Sequence, residues 1–82
     1  MSHEIDVLAQ YIRDETGFEG PLGADDDLLE AGVLDSFNIV SLAMFAQERF
    51  EVEFEAEDLV RENLARLSSL VALIRQRRGE NS

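Results

Sequence analysis

Gly32-Val33-Leu34-Asp35-Ser36-Phe37 is the stretch on which the reading of this chain turns. It sets a glycine, an apolar pair and an aspartate ahead of a serine, where a helical pattern begins. Over residues 36–50, Ile39, Ala43, Ala46 and Phe50 fall on one stripe, flanked by Val40 and Leu42, which predicts a helix with that face inward. A second stripe, Phe37, Ser41, Met44 and Glu48, is half polar and is therefore expected to face outward. Exposed Phe37 and Met44 beside one serine suggest a docking surface. The alternative is that both fold back onto the preceding loop.

Asp35 is the better cap for this helix. A capping box built on Ser36 needs Glu or Gln three residues on, and that position holds Ile39. With Asp35 accepting from the N–H of Phe37 or Asn38, Ser36 becomes the first helical residue and its hydroxyl is unused. The partial positive charge of a helix start also suits a phosphodiester on that hydroxyl. Position alone leaves two readings open, a modified serine and a plain helix-start residue.

Upstream, residues 17–35 read as a long loop punctuated by Gly17, Gly20, Pro21 and Gly23. Leu22, Leu28, Leu29, Val33 and Leu34 are its expected anchors in the core. Asp25-Asp26-Asp27 can cap one turn over Leu28–Ala31, closed by Gly32. The triple aspartate lacks the alternating ligands and terminal glutamate of a calcium loop, so no metal site is expected. Residues 4–15 carry Ile5, Leu8, Ala9 and Ile12 at helical spacing, with Ser2 as cap and Gly17 as stop. Downstream, Val52 and Phe54 pin an extended connection over Glu51–Glu55. Glu57-Asp58-Leu59-Val60 is expected to form a short third helix. A last helix over 66–78 turns Leu67, Leu70, Val71 and Ile74 inward, and Arg75, Arg77 and Arg78 suit the negative end of its dipole. The expected fold is all-α: a small four-helix bundle of three longer helices plus one short helix, a single domain over 1–82 with its core at about 4–76.

Composition narrows the function. The chain has 82 residues, no cysteine, one histidine (His3), 18 acidic and 7 basic residues, and a formal charge of -11. Without cysteine there is no disulfide, thiol nucleophile or sulfur-bound zinc. The acidic field disfavours nucleic acid and anionic membranes and favours partners with basic docking patches. No apolar run reaches membrane-spanning length and the start lacks a signal-peptide pattern, so a cytoplasmic protein is expected. A serine nucleophile would need a base. There is no second histidine, no lysine and no Gly-x-Ser-x-Gly elbow, so no catalytic activity of its own is expected.

These residues carry a resemblance. The run Asp27-Leu28-Leu29-Glu30-Ala31-Gly32-Val33-Leu34-Asp35-Ser36-Phe37 resembles the attachment motif of the acyl carrier protein family, which includes peptidyl and aminoacyl carriers. The likeness continues through Ile39-Val40-x-Leu42, Glu48-x-Phe50, Val52-x-Phe54, Glu57-Asp58-Leu59 and Leu64-x-x-Leu67-x-x-Leu70-x-x-Leu73-Ile74, over residues 4–76. It implies a discrete carrier with 4′-phosphopantetheine covalently attached at Ser36. Asp35 would be the neighbour recognised by the phosphopantetheinyl transferase. Acyl, aminoacyl or polyketide intermediates would be held as thioesters on that cofactor. Partners would be the transferase, a loading ligase or acyltransferase, and synthase or tailoring enzymes, with the carrier monomeric. The expected docking residues are Phe37, Ser41, Met44, Glu48, Glu57 and Asp58. Phe37 stands where the family usually has leucine or methionine. The second helix carries fewer acids than fatty-acid carriers do, which leans toward a specialised polyketide, peptide or aminoacyl pathway. The competing reading is an unmodified acidic helical domain that binds a basic or amphipathic partner helix.

Overall fold

The computed structural model describes residues 3–79. Helix α1 spans His3–Thr16 and α2 spans Ser36–Phe50. A 3₁₀ turn, Ala56–Asp58, leads to a four-residue helix α3, Arg61–Leu64, and then to α4, Leu67–Gly79. The all-α bundle expected from the sequence is therefore present. The proposed cap Ser2 lies outside the described residues.

Each long helix buries one stripe. Leu8 and Ile12 of α1, Ile39, Leu42, Ala43 and Ala46 of α2, and Leu67, Leu70, Val71, Leu73 and Ile74 of α4 meet in one core. Gly17 ends α1 with a left-handed φ of 73°, its N–H donating to the Arg13 carbonyl at 2.8 Å. The long loop is anchored as its leucines suggest. Leu28 and Leu34 are buried, and Leu22, Leu29 and Val33 pack against the core. Val52 and Phe54 are buried too, and the Phe54 N–H donates to Gln47 Oε1 at 2.8 Å.

Two residues of α2 depart from the inward stripe. Val40 is 57% exposed, because the buried arc centres on Ile39, Leu42, Ala43 and Ala46 and leaves Val40 past its edge. Phe50 is only half-buried at the end of the helix, with the Arg49 guanidinium 5.5 Å from its ring centre. The short third helix also sits elsewhere. Residues 56–58 make the 3₁₀ turn, Val60 is extended, and the α-helical turn begins at Arg61. Asp58 causes the break: its carboxylate reaches back to accept from the Glu55 N–H at 2.8 Å, which closes the turn on itself.

The arginines of α4 do more than complement its dipole. Arg75 and Arg78 both reach Glu4 on α1, at 3.3 and 2.8 Å, and Arg77 forms a two-pronged pair with Asp58 at 2.8 Å on each arm. On the loop side Asp27 accepts from the N–H groups of Leu29 and Glu30 and pairs with Arg61 at 3.3 Å. The Arg75 hydrogen bond, helped by the helix backbone and Arg78, holds the Glu4 carboxyl down at about 2. The Glu30 N–H and Arg61 lower Asp27, and Arg77 lowers Asp58. A carboxylate whose folded pKa lies below its unfolded value contributes stability above the unfolded pKa and loses it as pH falls. Urea midpoints should therefore drop as pH falls from about 5 towards the Glu4 value of about 2. Glu4→Gln should flatten that drop, and an unchanged profile would show that the clamp contributes nothing.

Candidate functional site

The candidate site is the amino end of α2 and the face beside it. Gly32, at φ 81°, closes the turn begun by Asp27, its N–H donating to the Leu29 carbonyl at 3.1 Å. The N–H groups of Val33 and Leu34 both donate to the Leu28 carbonyl at 3.0 Å. With Leu28 and Leu34 fixed in the core, the chain emerges at Asp35 and turns into the helix with Ser36 outside.

Asp35 is extended and caps the helix. Its Oδ1 accepts from the Asn38 N–H at 2.8 Å, and Asn38 Oδ1 accepts from the Asp35 N–H at 3.2 Å. Asn38 thus completes a reciprocal box. Ser36 is the first helical residue, exposed, and among the described residues nothing hydrogen-bonds its hydroxyl. The N–H groups of Ser36 and Phe37 have no intrahelical acceptor, as at any helix start. A free hydroxyl beside free N–H groups at the positive end of α2 fits a phosphodiester.

Beside Ser36 lies an apolar patch. Phe37 is 73% and Met44 63% exposed, which places both outward as the half-polar stripe implies. Glu48 and Glu57 are exposed as well. Ser41 is half-buried against Tyr11, whose hydroxyl is pushed up chiefly by burial and further by the Glu15 charge. Asp58 is a correction. It is buried, spent on Arg77 and on the Glu55 N–H, and presents no carboxylate for a partner. Reading the sequence missed Val40, Leu59 and Val60, which extend the patch across the 3₁₀ turn. Val40 stands four residues before Met44, and that helical spacing was a usable signal. Between α2 and the segment that follows the 3₁₀ turn lies a partly open pocket of about 110 Å³, with Val40, Met44 and Leu59 at its rim and Ile39, Ala43, Gln47 and Leu64 deeper. Among the described residues no group of three or more His, Asp or Glu is placed to hold a metal ion. No helix there is long and apolar enough to cross a membrane.

A capped helix start with an unused serine hydroxyl, on a small bundle with an apolar patch beside it, suits the holding of a covalently attached group. The sequence profile described as "Phosphopantetheine attachment site" matches residues 6–75, and the chain belongs to that family. Its role is to hold a group rather than to catalyse a reaction. Among solved structures, it is similar to a chain of one described as "Crystal structure of FAD-dependent dehydrogenase". The TM-score is 0.68 at 28% identity, covering 82% of this chain and 97% of that chain. No curated protein matches the chain significantly.

Proposed function

We propose that Ser36 is the attachment residue for 4′-phosphopantetheine and that the chain carries acyl, aminoacyl or polyketide intermediates between enzymes. The observation that carries this reading is the exposed, unbonded Ser36 hydroxyl behind the Asp35 cap, in a member of the attachment-site family. When bound, the group supplies a flexible arm whose terminal thiol holds cargo as a thioester. The protein's part is positional. Asp35 fixes the helix start and faces the transferase, and the free N–H groups of Ser36 and Phe37 stabilise the phosphate charge. Phe37, Val40, Met44 and Leu59 offer an apolar centre, and Glu48 and Glu57 offer acidic contacts that speed encounter with a basic enzyme surface. The carrier acts as a cytoplasmic monomer, a state that its charge of -11 favours.

The outward positions of α2 are mostly uncharged, which supports a specialised pathway over bulk fatty-acid synthesis. Similarity to a chain from a structure described as an FAD-dependent dehydrogenase supports a flavin enzyme among the partners.

Intact-mass spectrometry after incubation with coenzyme A, Mg²⁺ and a permissive transferase tests the reading. One phosphopantetheine should be added to the native chain and none to Ser36→Ala. No gain in the native chain would favour the unmodified interaction domain. Met44→Ala tests the patch. It should cost well under 1 kcal/mol in urea melts, since the side chain is mostly exposed, yet slow loading of the holo protein severalfold. Normal loading would remove Met44 from the docking surface.

A further inference from the structure

On the opposite side of α2 from the 3₁₀ turn, Tyr11 of α1 and Phe45 of α2 stack with ring centres 4.1 Å apart and planes within 13°. Both are only half-buried. The stack forms the ridge between two abutting surface grooves. One, of about 290 Å³, is lined by Tyr11, Ser41, Met44, Phe45 and Glu48. The other, of about 270 Å³, has mostly apolar walls from Val7, Gln10, Tyr11, Asp14 and Phe45. Phe45 stands nine residues from Ser36, about 14 Å along the helix axis, so a partner seated here leaves the attachment end open.

Charge is distributed unevenly around this groove. Arg13 donates to the carbonyls of Phe18 and Gly20, and Arg49 lies over Phe50. Arg61 and Arg66 face Asp27, Arg75 and Arg78 hold Glu4, and Arg77 holds Asp58. All seven arginines are thus engaged away from the groove, whose rim carries Asp14, Glu15 and Glu48 with no ion pair among the described residues. A second copy, with its own charge of -11, is repelled from such a rim.

We propose that the α1–α2 groove is a protein-docking site that extends the patch beside Ser36 around to the α1 side of α2, sharing Met44 and Glu48 with it and adding Tyr11, Phe45 and Asp14. Its occupant is a partner surface presenting a leucine-like side chain flanked by arginines. The apolar side chain seats against the Tyr11–Phe45 ridge and Met44, and the arginines meet Glu48 and Asp14. The rings supply rigid contact area, and the acids set orientation and encounter rate. This site does not depend on modification of Ser36.

The test is a titration of ¹⁵N-labelled carrier, followed by amide NMR, with a synthetic helical peptide of leucine at i, i+3 and i+4 and arginine around them. Two control peptides replace the leucines by serine or the arginines by glutamate. The leucine–arginine peptide should shift Val7, Tyr11, Asp14, Ser41, Phe45 and Glu48, and neither control should. Tyr11→Ser and Glu48→Gln should each weaken binding at least threefold, while Glu19→Gln, which removes the same charge elsewhere, should not. The Ser36→Ala chain should bind like the native one. Shifts centred on Asp25–Asp27 or on Val40 and Leu59, or equal weakening by Glu19→Gln, would overturn the proposal. So would the same signals moving with carrier concentration alone, which would assign the groove to a second copy.

Discussion

Leu42→Ala is expected to destabilise the domain by about 3–4 kcal/mol. Leu42 is 1% exposed in the middle of α2 and belongs to the same buried cluster as Leu8, Ile12 and Leu70. Truncation removes the transfer free energy of the lost methyl groups and leaves a void that rigid helices close only in part. A domain of this size has a total stability of about 4–12 kcal/mol at ~0.05–0.15 kcal/mol per residue. The loss is therefore a large fraction of the whole, and a visible share of the variant should be unfolded at 37 °C. Urea melts of the two proteins measure it. A cost under about 1 kcal/mol would mean that α2 is held by something other than this core.

The second large effect is at the Asp58–Arg77 pair. Arg77→Met should cost roughly 3 kcal/mol, because it leaves the Asp58 carboxylate buried without its countercharge. Asp58→Asn should also destabilise, since an uncharged amide makes weaker bonds to Arg77 and to the Glu55 N–H. The double variant should cost less than the sum of the two, because the groups act on each other. A double-mutant cycle in urea reads this directly, and additive costs would show that the pair is not coupled. Amide exchange should also rise at Leu59 and Val60. These flank the 3₁₀ turn that Asp58 closes and belong to the apolar patch beside Ser36, which links this clamp to docking.

Much of the fold was legible because three helices carry apolar residues at a period that only one face can satisfy. Leu8 and Ile12, Ile39 and Ala43, and Leu70 and Ile74 each fall inward where that period puts them. The glycines at 17 and 32 end their turns with positive φ, as residues without a Cβ do. Ser36 and its cap were legible for the same local reason: capping is decided within four residues. The third helix was not, because its start is set by Asp58 bonding backward and by Arg77 arriving from 19 residues away. That distant partner also turned Asp58 from an expected surface acid into a buried one. Val40 and Phe50 were misplaced because a stripe read along one helix does not show where the neighbouring helices end. Tyr11 and Phe45 gave little signal, since a ring at a helix edge reads as core until its exposed half is seen.

Peptide mapping decides whether Ser36 carries the arm. Cleavage after arginine releases residues 14–49 as a single peptide, in which Thr16, Ser36 and Ser41 are the hydroxyl residues of serine or threonine type. Fragment-ion mass spectrometry of that peptide, from chain treated with transferase and coenzyme A, should place the whole phosphopantetheine mass on Ser36. The mass on Thr16 or Ser41, or a peptide that stays unmodified under conditions that convert a known carrier, would rule out Ser36 as the attachment residue.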